Sequence, residues 1–350
     1  MSRLYLLFIH SSTLLIWQTS EIKACPPTTQ NPKPQPTTTT LKPIPETCNV
    51  HANAINDYQT NESSRYVSKK LRKGKAVTVP VAIYVEILVV VDDFLLEKIG
   101  GTKFDAILYI RNFISAVDMK FQGSFTAPRI KMHIAGVLAD ESFPFIENKN
   151  GFDIFKTKDK MIDHFGNKTL IKSYPFDFDI VLLLTGEEDL TTDDDDWSGF
   201  SGYTRKWTVC NLGEGHPVIA HDRGQFSGVM QVTHLIGHML GSPYDGEEKH
   251  FKKCCPLKWN IMSHLPFDEY TFYETMRSEG RRNAFIWSNC SIDRIRNFVS
   301  SALCLFNTPM NNPYPLLSWE DLTMSAPSLQ KQCSVYMQRT EGEYMMCFYL

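Results

Sequence analysis

The residues best suited to chemistry lie in a short predicted helix and the turn that follows it. His234 and His238 are four residues apart, so on a helix both imidazoles lie on one face and can reach the same metal ion. Gly241 suits a helix stop, because glycine accepts the left-handed backbone found there, and Tyr244 follows three residues later. Leu235, beside the first histidine, has no titratable group. The pattern predicts a metal-binding frame that lacks a residue able to take a proton from water.

The composition is that of a globular protein with one large domain. The chain has 350 residues, of which 43% are hydrophobic and 21% are charged, and its formal net charge is -3. Such a balance gives no case for binding nucleic acid or an anionic membrane. The partner therefore has to be inferred from individual sites.

The first 79 residues are predicted to precede the folded domain. Residues 1–24 are typical of a secretory signal peptide, with a basic start and an apolar run too short to span a bilayer. Residues 25–79 begin as a Pro- and Thr-rich linker and stay polar. We expect a secreted protein in which most of the nine cysteines are paired, one being free or joined to another chain. Candidate glycosylation sites are Asn61, Asn167 and Asn289.

Hydrophobic periodicity predicts alternating strands and helices from residue 80 onwards. Strands are predicted at 81–91, 129–137 and 179–185, with a short edge strand within 199–209. Helices are predicted at 104–121, about 154–165, about 227–240 and about 291–303. This order favours an α/β fold in which helices pack on a mostly parallel sheet.

From about Pro80 to Asn307 the chain resembles the reprolysin (adamalysin-like, M12B) branch of the metzincin metalloproteases, and most of all the secreted salivary reprolysins of ticks. The resemblance rests on ordered motifs, which are Thr233-His-x-x-Gly-His-x-x-Gly-x-x-Tyr-Asp-Gly246, Asn260-Ile-Met-Ser263 and Cys304-Leu-Phe-Asn307. It implies a metzincin, zincin-like α/β (α+β) fold with a twisted mixed sheet, an active-site helix and a small C-terminal subdomain. Residues 80–307 would form this domain, followed by a short cystine-containing tail at 308–350.

The departures from the family pattern lie at the active site. In active members three histidines hold zinc, and a glutamate beside the first histidine takes the proton of the zinc-bound water. Here Leu235 stands in place of the glutamate and Tyr244 in place of the third histidine, so we assign no catalytic residue. The resemblance gives His234 and His238 as zinc ligands, with Tyr244 or His264 as a candidate third ligand. The alternative is a hydrogen-bonded histidine pair in a metal-free cleft.

The resemblance also implies a calcium site and two disulfides. Asp179 and Asn307 match calcium ligands of some reprolysins, and Glu86 lies one position from the matching glutamate. Their oxygen atoms suit a hard cation. Cys210 is expected to pair with Cys304, and Cys290 with Cys254 or Cys255. Proximity alone suggests the pairs Cys25 with Cys48 and Cys333 with Cys347.

The function favoured at this point is that of a secreted, catalytically inactive pseudoprotease. Its expected partners are extracellular host proteins or peptides, because an edge strand beside the cleft can bind an extended segment by strand addition. The alternative is a zinc-dependent metalloendopeptidase of low activity. That alternative needs another carboxylate as the base, and the nearest in sequence are Asp245, Glu247 and Glu248.

Overall fold

The computed structural model describes residues 79–139, 143–146, 152–167, 172, 174–187, 190–191, 202–210, 217–245, 260–263, 285–309 and 312–325. The predicted signal peptide and most of the linker lie outside these ranges. So do His264, Glu247 and Glu248, and the cysteines other than Cys210, Cys290 and Cys304.

The described part of the chain contains the predicted strands and helices in the predicted order. The strands are β1 (Ala82–Val91), β2 (Arg129–Leu138), β3 (Phe152–Asp153), β4 (Ile180–Thr185), β5 (Leu190–Thr191), β6 (Gly202–Tyr203) and β7 (Val218–His221). The helices are α1 (Asp93–Ile99), α2 (Lys103–Gln122), α3 (Ile154–Gly166), α4 (Val229–Met239), α5 (Asn289–Val299) and α6 (Trp319–Ser325), with a 3₁₀ turn at Leu303–Phe306.

The main sheet has five strands in the order β2-β1-β4-β7-β6. The first four strands run parallel, and β6 pairs with β7 in the antiparallel direction at the edge. The predicted α/β fold with a mixed sheet is confirmed. A second, two-stranded sheet joins β3 and β5 in parallel.

Strand β1 is mostly buried on both faces, which explains why β-branched and aliphatic residues dominate it. Ile83, Val85 and Ile87 belong to the core that α2 and α4 complete on one side of the sheet. Leu88 and Val90 face a smaller, aromatic-rich core under α3 on the other side. The sheet thus holds α4, the helix with both histidines, directly against the larger core.

Five short elements were not predicted, namely β3, β5, β7, α1 and α6. Strand β7 has only four residues and inserts between β4 and β6. Helix α1 has seven residues, and its first turn is capped by Asp92, whose carboxylate accepts a hydrogen bond from the Leu95 amide at 2.8 Å. Helix α6 lies in the expected tail and packs on α2 through the buried Leu322. All five are too short for hydrophobic periodicity to reveal them.

The described residues also include disulfide-bonded cysteines, and their helices were compared with the length and hydropathy of a membrane span. The predicted Cys210–Cys304 disulfide is present, with a Cα–Cα distance of 5.6 Å. Cys290 is also disulfide-bonded, to a partner outside the described residues. Within the described ranges, no helix is both long enough and apolar enough to cross a bilayer.

Candidate functional site

The two histidines predicted as metal ligands lie side by side on α4. Their ring centres are 4.5 Å apart and the ring planes are nearly perpendicular, at 88°. Both side chains are buried, with 2% of His234 and 3% of His238 exposed. The helical spacing of four residues therefore brings the imidazoles together as the sequence predicted.

Each imidazole is oriented by a backbone carbonyl group. His234 Nδ1 lies 2.7 Å from the carbonyl oxygen of Ile261, and His238 Nδ1 lies 2.7 Å from that of Ser242. A carbonyl oxygen can only accept, so Nδ1 carries the proton in both rings and Nε2 carries the lone pair. This is the arrangement by which histidines that bind metal are held in metalloproteins.

Tyr244 packs against both histidines, in the place expected for a third ligand. Its ring centre lies 4.5 Å from that of His238 and 5.5 Å from that of His234. The Lys206 ammonium group lies 4.9 Å from the centre of the same phenol ring, within the range of a cation–π contact. The sequence did not indicate Lys206, because it precedes Tyr244 by 38 residues and belongs to no motif.

Leu235 occupies the space between α4 and the edge strand β6. Its side chain is 5% exposed, and its Cδ1 atom lies 2.9 Å from where a Cβ would stand on Gly202. The position beside the first histidine is therefore filled by an aliphatic group that packs against the strand. No proton can be accepted there.

The loop from Asn260 to Ser263 forms the floor of the histidine site. Met262 is fully buried under α4, and the Asp245 amide donates to its carbonyl oxygen at 2.7 Å. A Cβ on Gly237 would lie 2.7 Å from Met262 Sδ and 2.8 Å from Trp287 Cη2. Glycine is required at this position because the loop approaches the helix so closely.

The Asp245 carboxylate is engaged in the support of this floor. Its Oδ1 atom accepts hydrogen bonds from Ser288 Oγ at 2.6 Å and from Ser291 Oγ at 3.0 Å. Burial raises the pKa of Asp245, while the two serine hydrogen bonds oppose that rise. Asp245 therefore links α5 to the end of the motif. These contacts favour a structural role for Asp245 over a role as a base.

Trp207 clamps the end of α4 and was not predicted. Its backbone amide donates to the His238 carbonyl oxygen, and its Nε1 donates to that of Gly241, both at 3.0 Å. Its backbone has a φ of 60°, and Cys210, three residues on, has a φ of 68°. Both residues adopt a left-handed backbone conformation that is unfavourable for residues other than glycine. The disulfide at Cys210 thus anchors a loop with a strained backbone.

The three residues predicted to bind calcium lie next to one another where β1 pairs with the start of β4. The Glu86 amide donates to Asp179 Oδ2 at 2.9 Å, and Asn307 Nδ2 lies 2.6 Å from Glu86 Oε2. The neighbouring Cys304 is held by the disulfide to Cys210. Each of the three side chains carries an oxygen atom, the ligand type that a hard cation prefers, although here Asn307 donates from its Nδ2 to Glu86.

Burial makes this cluster costly to ionise in the absence of a cation. Burial, together with the nearby charges of Glu86 and Asp177, raises the pKa of Asp179 to about 7 despite the Glu86 amide hydrogen bond. Burial also raises the pKa of Glu86, an effect that the Asn307 hydrogen bond opposes. A bound divalent cation would favour the ionised form of both groups.

The histidine pair was also tested as a zinc site. Structural and catalytic zinc ions take three or four protein ligands. Among the described residues, one group of three His, Cys, Asp or Glu side chains has its ligand atoms within 4.8 Å of each other, namely Asp179 with the disulfide-bonded Cys210 and Cys304. The described residues therefore provide two nitrogen ligands at the histidine pair and do not fit a complete zinc site.

Comparison with known proteins gives a family match and several relatives. The reprolysin (M12B) zinc metalloprotease family matches residues 83–309. A Bombyx mori protein named "A disintegrin and metalloproteinase with thrombospondin motifs like" is 25% identical over 73% of this chain and 39% of its own length. Venom metalloproteinase 2 of Eulophus pennicornis is 26% identical over 59% of this chain and 48% of its own length.

Among solved structures, the archaemetzincin of Methanopyrus kandleri aligns with a TM-score of 0.37 and 13% identity, over 62% of this chain and 96% of that one. The chain spans less than half the length of the two curated relatives described above.

Proposed function

The chain belongs to the reprolysin (M12B) family of zinc metalloproteases, and from this premise we propose that it is a secreted pseudoprotease. It would keep the peptide-binding cleft of the family without cleaving peptide bonds. The coarser statement, membership of a metalloprotease family, rests on the match over residues 83–309. Loss of catalysis and binding of a partner are the parts that we propose.

The observation that carries the proposal is the environment of Leu235. Peptide hydrolysis by this family needs a base that takes a proton from the attacking water, and such a base typically contributes about 10² to 10⁴ in rate. Leu235 is packed between α4 and β6 with no titratable atom. Asp245, the nearest described acid in sequence, is bound to Ser288 and Ser291.

The edge of the sheet supports the binding half of the proposal. Strand β6 pairs with β7 on one side, and no other described strand pairs with it. A strand edge of this kind offers N–H and C=O groups to an extended peptide. Residue 202 faces α4 and residue 203 faces α3, so a bound strand would present alternate side chains to the histidine site.

The proposed partners are extracellular host proteins or peptides. The apolar N-terminal segment, the disulfide and the absence of a spanning helix among the described residues support secretion. The neutral to slightly acidic charge balance gives no support for nucleic acid or membrane as a partner. A setting in tick saliva remains a proposal that rests on the sequence resemblance.

The catalytic half is tested with the purified full chain on gelatin, fibrinogen and a mixed peptide library, with and without a metal chelator. We expect no cleavage that depends on the chelator. A His234→Ala variant is the control, because cleavage that survives this substitution comes from a contaminant. Chelator-sensitive cleavage that disappears in His234→Ala would refute the proposal.

The binding half is tested by selecting short peptides on the immobilised protein and scanning the best binder with N-methyl groups. Strand addition uses the N–H of every second peptide residue. Methylation should therefore weaken binding at alternate positions and leave the intervening positions nearly unchanged. Uniform sensitivity along the peptide, or none at all, would contradict binding at the strand edge.

A second candidate function is a zinc-dependent endopeptidase of low activity. It is favoured by the Nδ1 hydrogen bonds of His234 and His238, which leave the lone pair of each imidazole on Nε2. It requires a carboxylate from outside the described residues, such as Glu247 or Glu248. Both candidates are separated by the cleavage assay above.

We also propose that Glu86, Asp179 and Asn307 bind calcium. The proposal is supported by the oxygen-rich character of the three side chains and by their mutual contacts. The bound calcium would hold Asp179, at the start of β4, close to Asn307, at the end of the domain. The proposal is tested by the effect of calcium on the free energy of unfolding across pH.

A further inference from the structure

The phenol ring of Tyr244 lies where the ring of a third imidazole ligand would lie. Three imidazoles on one tetrahedral zinc, with Zn–N bonds of about 2.0–2.1 Å, have ring centres about 5 Å apart. The three observed separations are 4.5 Å between His234 and His238, 4.5 Å between His238 and Tyr244, and 5.5 Å between His234 and Tyr244.

A phenol in this position cannot act as the third imidazole does. The donor nitrogen of an imidazole is part of the ring, whereas the phenol oxygen lies one further bond outside its own ring. If the hydroxyl points towards the histidines, it enters the space of the ion itself. If the hydroxyl points away, the ring offers no donor at all.

The charge around Tyr244 also opposes a cation. The Lys206 ammonium group lies 4.9 Å from the centre of the phenol ring, on the loop that Trp207 holds against α4. A divalent ion beside the same ring would be repelled by this ammonium group, and the partly buried position weakens the screening of that repulsion by water.

We propose that Tyr244 blocks the metal position, so that His234 and His238 are a preserved but closed metal-binding frame. The hydrogen bonds that orient the two imidazoles do not involve Tyr244, since their acceptors are the carbonyl groups of Ile261 and Ser242. Replacing the phenol alone should therefore reopen the site. Metal binding and proton transfer are separate properties, so the block is independent of Leu235.

The test compares the full chain with Tyr244→His and Tyr244→Phe variants. Each protein is stripped of metal and titrated with Zn²⁺ against a competing fluorescent chelator, and the Co²⁺ absorption spectrum reports the number of protein ligands. Loss of a group that only supports a ligand costs about 10- to 100-fold in metal affinity, so gain of a direct ligand in Tyr244→His should tighten the binding of one zinc ion per chain by at least about 100-fold. Adding His234→Ala to Tyr244→His should abolish that gain.

The Tyr244→Phe variant shows whether Tyr244 blocks the metal position or binds the metal. It keeps the ring and removes the hydroxyl, so its zinc affinity should equal or exceed that of the natural protein. Tight zinc binding by the natural protein that weakens in Tyr244→Phe, or in His264→Ala, would overturn the proposal. Failure of a folded Tyr244→His variant to gain zinc would also overturn it, because the histidine frame would then not be preserved.

These outcomes do not depend on proteolysis. Tight zinc in the natural protein without cleavage would refute the block and leave the pseudoprotease proposal in place. Chelator-sensitive cleavage by the natural protein would refute both.

Discussion

Without a bound cation, the stability of this domain should fall as the pH rises from about 4 to about 7. The buried carboxyl of Asp179 has a pKa raised to about 7, mainly by burial, against an ordinary value of 3.8. Between these two values the folded protein keeps a proton that the unfolded chain has lost. The folded state therefore binds more protons, and the free energy of unfolding decreases with pH across this window.

The size of the effect follows from the same two values. One pKa unit corresponds to about 1.4 kcal/mol, so the gap between 3.8 and about 7 corresponds to about 4 kcal/mol. This is an upper value, because relaxation of the cluster and entry of water reduce the cost of ionising a buried carboxylate. For a domain of this size, about 1 kcal/mol shifts the melting temperature by about 2 to 4 °C.

The measurement is urea unfolding in the presence of a chelator, at a series of pH values from about 5 to about 8. Burial also raises the pKa of other carboxyls, namely those of Asp92, Asp118, Asp222 and Asp245, so the whole protein has a slope of the same sign. The difference between natural protein and Asp179→Asn isolates the group of interest. Asp177→Asn is the matched control, because Asp177 is exposed and influences the cluster only through its charge.

The free energy of unfolding should fall much less steeply with pH in Asp179→Asn than in the natural protein. In Asp177→Asn the slope should be nearly unchanged. Calcium should then restore stability to the natural protein at high pH, by about 2.7 kcal/mol at a concentration 100 times its dissociation constant. A stability that stays flat or rises across the window would refute the reasoning about Asp179. Equal slopes in the natural protein and Asp179→Asn would show that the titrating group lies elsewhere.

Three further predictions concern the frame of the histidine site. Gly237→Ala should lower the free energy of urea unfolding by about 1 to 3 kcal/mol, because the new Cβ meets the loop below α4, whereas Gly123→Ala, with no atom within 4 Å of the new Cβ, should have little effect. Trp207→Phe removes one indole hydrogen bond to the end of α4 and should cost about 1 kcal/mol in the same assay, and an unchanged midpoint would show that the clamp is unimportant. Combining Leu235→Glu with Tyr244→His should produce chelator-sensitive peptide cleavage at least about 100-fold faster than Tyr244→His alone, and equal rates would contradict the role assigned to the missing base.

Much of the fold was predictable because its signals are local. Strands β1 and β4 are rich in aliphatic residues, and the spacing of His234 and His238 needs only a helix to bring the rings together. Strand β7 was missed because four residues carry no period, although without it the edge strand β6 would have no partner. The hydrophobic pattern therefore identified the central strands of the sheet and missed β7, the strand that pairs with the edge strand β6.

The contacts that decide the site's chemistry are long-range and were not predictable in this way. Lys206 contacts Tyr244 because the neighbouring Trp207 is hydrogen-bonded to the end of α4. No spacing in the sequence predicts this contact. From the sequence, Glu86 lies one position from the matching calcium ligand of some reprolysins. The pairing of β1 with β4 places Glu86 beside Asp179, a neighbourhood that the sequence alone does not give.

The groups that hold α4 in place are separate from the groups that would do chemistry on it. Gly237 admits the loop below the helix, and Asp245 ties that loop to α5. Neither role involves a metal or a proton transfer. Leu235 even adds apolar contact with β6 at the position where a charged base would need water nearby. The described contacts that support the cleft therefore depend neither on a base at position 235 nor on a third ligand at position 244.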